Sequence, residues 1–214
     1  MGASGAQASD PVPGVPHMDL AVRALPLLGW DGFGIVEVRA WSARRLVVCA
    51  LDPAGHRRRQ AEGMLPAVDP FLLRCLVDQD PRFVLAPPPV RIAGAIAVRR
   101  TWKAAMANLA GFAAFGALAA VLPAGAADRL EVAAEAPVQG VGVIASDAAG
   151  TVRLVHRAGP HVTEARTWVH RLVEEIVYDA LLAPAGGPDQ ASGATAPPSS
   201  AGSRALPTRS ADRA

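Results

Sequence analysis

The run RRTWKAAMANLAGFAAFGALAAVLP at residues 99–123 constrains the fold more than any other stretch, because it must lie either in a bilayer or in a protein interior. Residues 104–122 are apolar enough, and nearly long enough, for a single membrane pass. Their apolar character is mostly alanine, however, which is close to neutral for insertion, and Asn108, Gly111 and Gly116 oppose it. The run also divides in two. Thr101 is a suitable N-cap before Trp102, and Met106, Leu109, Ala110, Phe112 and Ala113 share one broad helical face. Gly116 stands where a helix C-cap would, and ALAAVLP reads as a buried strand stopped by Pro123. The expectation is a soluble helix followed by a strand. The alternative is a single-pass membrane-associated protein anchored by residues 104–122, with Arg99, Arg100 and Lys103 holding the N-terminal side in the cytoplasm.

The flanking segments favour a folded domain. HMDLAVRALPLLGW places apolar residues at helical spacing, with Pro26 expected to distort the last turn. GFGIVEVRAW and RRLVVCALD are β-branched runs parted by little more than Ser42 and Ala43, as in adjacent antiparallel strands. HRRRQ is polar and reads as a loop or exposed turn. Asp69 before Pro70 is a helix start, because the carboxylate accepts first-turn N–H groups and proline is pre-shaped for the first position. RFVLA and VRIAGAIAV are strand candidates on either side of Pro87 to Pro89. VQGVGVIASD and TVRLVHRAG are strands joined at DAAG, and TEARTWVHRLVEEIVYDALLA carries a continuous apolar face at helical period. This order predicts an α/β or α+β domain, a mixed sheet with flanking helices, over residues 17–183. Residues 1–16 and 184–214 are small, polar and rich in Gly, Pro, Ala and Ser, and are expected to be disordered tails.

Charge and cysteine usage exclude several classes. With 51% hydrophobic and 19% charged residues the chain is not globally disordered, and a net charge of +2 gives no overall field for a polyanion. Any basic site must be a local patch. Lys103 is the only lysine, and arginine in its place, with much Ala, Gly and Pro, reflects a GC-rich bacterial composition. Cys49 and Cys75 form no CxxC and sit in apolar runs, so neither a zinc ribbon nor a disulfide scaffold is expected; a reducing, cytoplasmic compartment fits. The N-terminus lacks the basic and apolar regions of a secretory signal.

No motif assembles a recognised chemistry. Gly140, Gly142 and Ala145 match the letters of a dinucleotide fingerprint but lie in a β-branched run followed by a turn, with no helix opening after the glycines. There is no P-loop and no nucleophile elbow. His170 and Glu174, four apart on the last helix, lack the further ligand that a metal requires and read as an exposed polar face. No metal and no cofactor is expected. Arg57, Arg58 and Arg59, with Arg44 and Arg45, are the candidates for phosphate or nucleic-acid contact, without an aromatic platform in the sequence beside them.

An N-terminal helix ending in LLGWDGF, the strands FGIVEVRAW and RRLVVCALD, a later helix running into AFGALAAVLPAG, and QGVGVIASDAAGTVRLV together resemble the PD-(D/E)xK restriction-endonuclease-like superfamily over residues 18–157. The resemblance implies a catalytic hairpin followed by a strand, a crossover helix and a further strand. It also implies an acid on one strand and an E-x-K triplet on the next, two carboxylates holding a divalent metal and the lysine assisting the attacking water. Here the matching second strand reads Val48, Cys49, Ala50, Leu51, without acid or lysine. Asp31, Glu37 and Asp52 are the nearby acids, and none forms the triplet. The sequence therefore points to a non-catalytic binding or accessory module, in build a degenerate nuclease. An enzyme of an unrecognised family, its acids converging only in space, is the remaining alternative. Nucleic acid and protein both stay open as partners; a membrane is disfavoured.

Overall fold

In the computed structural model, the described residues are 16–41, 43–80, 82–161 and 166–183. Of the expected tails, 1–16 and 184–214, all but Pro16 lie outside them. One six-stranded sheet, in the order β1-β2-β3-β4-β5-β6, organises everything else. Its strands are β1 (Gly34–Ala40), β2 (Ala43–Leu51), β3 (Val90–Val98), β4 (Ala117–Pro123), β5 (Val141–Ser146) and β6 (Val152–His156). The first three form an antiparallel meander, β3, β4 and β5 run parallel, and β6 returns antiparallel. This is the mixed sheet with flanking helices that the sequence predicts.

The opening run is resolved as helix and strand. α5 (Trp102–Leu109) starts at Thr101, whose hydroxyl accepts from the Ala104 N–H at 3.3 Å, and β4 follows. No helix among the described residues is long and apolar enough to cross a membrane, so the anchor reading of residues 104–122 is set aside. The helix is shorter than its apolar spacing suggested: it ends at Leu109, and Gly111, at φ 79°, turns the chain so that Phe112 is buried from a turn. β4 shows why the run is continuously apolar. Leu118, Ala120 and Leu122 face one core and Ala119 and Val121 the other, as a central parallel strand covered on both sides requires. Gly94 and Gly116 permit the closeness of β3 and β4: a Cβ on Gly94 would lie 2.0 Å from the Ala117 carbonyl oxygen.

One sheet face is covered by α1 (His17–Leu28) through Leu20, Ala21, Ala24 and Leu25. Pro26 does not break α1, which runs on to Leu28 and ends at the left-handed cap Gly29. The opposite face is covered by α5, by α6 (Ala124–Ala127) and α7 (Leu130–Gln139), which cross from β4 to β5, and by α8 (Trp168–Leu182). Three segments between β2 and β3 are helical: α2 (Pro53–Ala61), α3 (Pro70–Gln79) and α4 (Arg82–Leu85). Two of these correct the sequence reading. HRRRQ is the body of α2, started by the Asp52 carboxylate accepting from the Gly55 N–H at 2.7 Å, and RFVL is a helical turn, not a strand.

Candidate functional site

The arginines singled out from the sequence part company in the structure. Arg59, on α2, is 3% exposed and pairs with Glu175 of α8, itself fully buried. Arg171 lies one helical turn from Glu175, its Nε 2.9 Å from the same carboxylate. The second oxygen of Glu175 accepts from the Ala67 N–H at 3.0 Å. Arg171 also lies over the Phe83 ring, 4.8 Å from its centroid. Arg166 pairs with Glu174, whose other neighbour is Arg171 at 3.6 Å. Burial lowers the proton affinity of Arg171 and raises that of the Glu174 carboxyl, each partly offset by the opposite charges beside it. His170 and Glu174, read as an exposed polar pair, are half-buried and separately engaged: His170 Nδ1 lies 2.9 Å from the Thr167 hydroxyl and Nε2 3.2 Å from the Ala114 carbonyl. This ionic cluster fastens α2 and the following loop to α8. Because Arg59 also donates to the Leu65 carbonyl, it fixes the backbone of a segment whose side chains Leu65, Val68, Phe71 and Leu72 point outward, 83%, 42%, 79% and 51% exposed.

Arg45 is also committed internally. It is 7% exposed and donates to the carbonyls of Ala40, Asn108 and Ala110, tying the β1–β2 hairpin to the end of α5. Arg57 and Arg58 are exposed on α2, after the C-terminus of β2. Arg44 is exposed at the other end of that strand, where its guanidinium lies 3.4 Å from Glu37.

Around Arg44 a different cluster appears. The C-terminal ends of β1, β3, β4 and β5 all meet at one end of the sheet, with the β1–β2 hairpin beside them. Arg39 sits directly opposite Arg44 in the β1–β2 register. Arg99, Arg100 and Lys103 follow immediately after β3, the strand next to β2. Arg39, Arg44, Arg100 and Lys103 are exposed and Arg99 half-buried. Glu37 reaches into this group, and its charge acts on both Arg99 and His17. His17, at the start of α1, has its protonated form disfavoured by burial and by Arg99. Asp19, in the first turn of α1, is a further acid on the helix that starts there. Like charges in direct cross-strand register repel, and Glu37, two residues before Arg39 on the same strand face and 3.4 Å from Arg44, offsets part of that repulsion.

At the tip of this hairpin stands Trp41. It is the one non-glycine among the described residues with positive φ, 49°, and it is 50% exposed. Phe115 stacks against it with centroids 5.4 Å apart and planes 19° from parallel, and the Arg45 guanidinium lies 5.4 Å from its ring centroid. Trp41 thus leans to the α5 and α8 side of the sheet, and the cation at its ring is the buried Arg45.

The candidate acids have separate structural duties. Asp52 caps α2, Glu37 pairs with Arg44 on the α1 side of the sheet, and Asp31 is exposed in the turn before β1. Among the described residues no three His, Cys, Asp or Glu side chains are grouped so as to hold a metal ion. Cys49 and Cys75 are free; burial pushes the Cys49 thiol up to about 12, so it is an inert core residue. Compared with protein-family models, with curated proteins and with solved structures, the chain matches none.

Proposed function

We propose that this chain is a non-catalytic binding module which holds a polyanion of the nucleic-acid class at the basic end of its sheet, on a framework of degenerate nuclease-like build. The observation that carries the reading is the gathering of Arg39, Arg44, Arg99, Arg100 and Lys103 around the C-terminal ends of β1 and β3, with Arg39 and Arg44 held in direct register. Exposed cations concentrated in this way release counterions when they meet phosphates. The nuclease-like part is supported by the order α1, three-stranded meander, crossover α5 and parallel β4. The non-catalytic part is supported by the two antiparallel strands ahead of that crossover. They read ARRLVVCAL and VRIAGAIAV, with neither a carboxylate nor a lysine. Two free cysteines support a reducing, cytoplasmic setting.

The test is a pair of assays on the full chain. Labelled oligonucleotide should bind in a fluorescence-anisotropy titration with affinity falling steeply with salt. The double variant Arg39→Ala, Arg44→Ala should weaken binding and lower the slope of log affinity against log salt by about 0.7 for each lost contact to a single strand. Plasmid incubated with magnesium or manganese should stay intact. Cleavage that disappears in Glu37→Ala or Asp52→Ala would refute the non-catalytic reading, and absence of binding at low salt would refute the polyanion reading.

A further inference from the structure

We infer that the apolar surface running from the end of α2 into the first turn of α3 is the face through which two copies of this chain form a two-fold dimer. The inference is independent of the polyanion reading: α2 follows the C-terminus of β2, whereas the basic end lies at its N-terminus. Area, rigidity and chemistry each support it.

Met64, Leu65, Val68, Phe71 and Leu72 are all exposed, Leu65 and Phe71 most of all. Single apolar side chains in solvent are ordinary; a run of them marks a contact surface. Together these residues leave on the order of 500 Å² of apolar surface in water. A standard interface buries about 800 Å² per partner, of which about 65% is apolar in homodimers, so the segment presents roughly what a stable dimer requires. Its backbone is fixed. Arg59 donates to the Leu65 carbonyl at 3.3 Å, the Ala67 N–H donates to the buried Glu175 at 3.0 Å, and the Met64 N–H donates to the Arg59 carbonyl at 3.0 Å. A buried ion pair contributes little net stability compared with apolar packing, and the Arg59–Glu175 pair is accounted for by the segment it positions. A surface held in place beforehand loses less entropy on docking.

The chemistry selects a second copy as the occupant. The two ends of the chain lack the means to cover this surface: residues 184–214 hold one large apolar residue, Leu206, and residues 1–15 only Met1, Val12 and Val15. From Gly63 to Leu73 the only ionisable residue is Asp69, and its carboxylate accepts from the Phe71 and Leu72 N–H groups at 2.7 and 3.1 Å. The segment therefore has no cation for an acidic partner and no uncommitted acid for a basic one. An apolar centre poor in charge is the composition of homodimer interfaces, and a two-fold contact needs a patch that matches itself. Arg74 and Asp78, on the following turns of α3, form an exposed pair of opposite sign. The same pair in a second copy offers each of them its counter-charge.

The experiment is sedimentation equilibrium of the full chain across the micromolar range, without detergent. Wild type should show a monomer–dimer equilibrium with no larger species. Leu65→Asp and Phe71→Asp should each weaken dimerisation on the order of tenfold or more, while Val138→Asp, at an equally exposed apolar position on α7, should leave it unchanged. Far-ultraviolet circular dichroism checks that each variant is folded, and Leu65→Ser and Phe71→Ser stand in for an aspartate variant that is not. A chain that stays monomeric throughout, a dimer that survives both substitutions, or one lost equally in Val138→Asp overturns the inference. So does a monomer that floats with phosphatidylcholine–phosphatidylglycerol vesicles and loses that flotation in the same two variants, which would make lipid the occupant.

Discussion

Arginine serves two opposite purposes in this molecule, and the contrast lies between the α2–α8 junction and the hairpin end of the sheet. At the junction, Arg59 and Arg171 converge on one fully buried carboxylate, Glu175, whose remaining oxygen is held by a backbone N–H. At the hairpin end, Arg39 and Arg44 face each other across a strand pair in solvent, with Glu37 beside Arg44. The first arrangement neutralises charge in the interior; the second accumulates it at the surface. A charged residue's role here is decided by what faces it and not by how many of its kind adjoin it in sequence. The triplet Arg57, Arg58, Arg59 illustrates this, since its third member is interior and the others are exposed.

The contrast can be broken most directly at Glu175. Glu175→Ala leaves Arg59 and Arg171 without their shared counterion and should cost about 3–5 kcal/mol of stability in urea unfolding. A loss below about 1 kcal/mol would mean that the junction is not a structural lock. A smaller effect is expected from Glu174. Its carboxyl is raised above the ordinary value of 4.5, first by burial, so its contribution to stability is present in full below pH 4.5 and is lost as pH rises through its folded value. The urea midpoint of wild type relative to Glu174→Gln should therefore fall from pH 4 to pH 7; a difference that is flat or rises over that interval contradicts the assignment. The smallest effect belongs to the exposed end. Arg39→Ala should change stability by no more than about 0.5 kcal/mol, and in the stabilising direction, because it removes a like-charge neighbour. A clear destabilisation would make Arg39 a structural residue after all.

Much of the framework was legible because its signals are local. The strands, the Asp69–Pro70 helix start and the stripe Leu172, Val173, Ile176, Val177 on α8 follow from alternation, capping and period. α2 was missed although Asp52–Pro53 repeats the same start signal, because the residues after it carry no apolar face to confirm a helix. α7 was missed because Pro137 and the strand-like VQGVGV obscured its end; Gly140 in fact caps it at φ 65°. The site was less legible for a different reason. Arg171 and Glu175 flank the apolar stripe of α8 by one residue, and only the arrival of α2 and Phe83 from elsewhere makes them interior. Trp41 in sequence is one tryptophan among four. Its left-handed backbone and its contacts with Phe115 and Arg45 exist only once the hairpin is paired and packed.

The lock at Glu175 also sets an order of events on the ribosome. Arg59 and Glu175 are separated by 116 positions, and chains emerge N-terminal end first. The meander and α2 are therefore complete long before their counterion has been synthesised. During that interval Arg59 stays hydrated, the segment at Leu65 lacks its Ala67 anchor, and the sheet face that α8 will cover through Val173, Val177 and Tyr178 is open. Closure comes with the last helix, so a chain released just short of residue 168 would carry an almost finished sheet with one side unsealed. Such a product would expose the apolar surface that α8 covers, the kind of surface on which chaperones and proteases act.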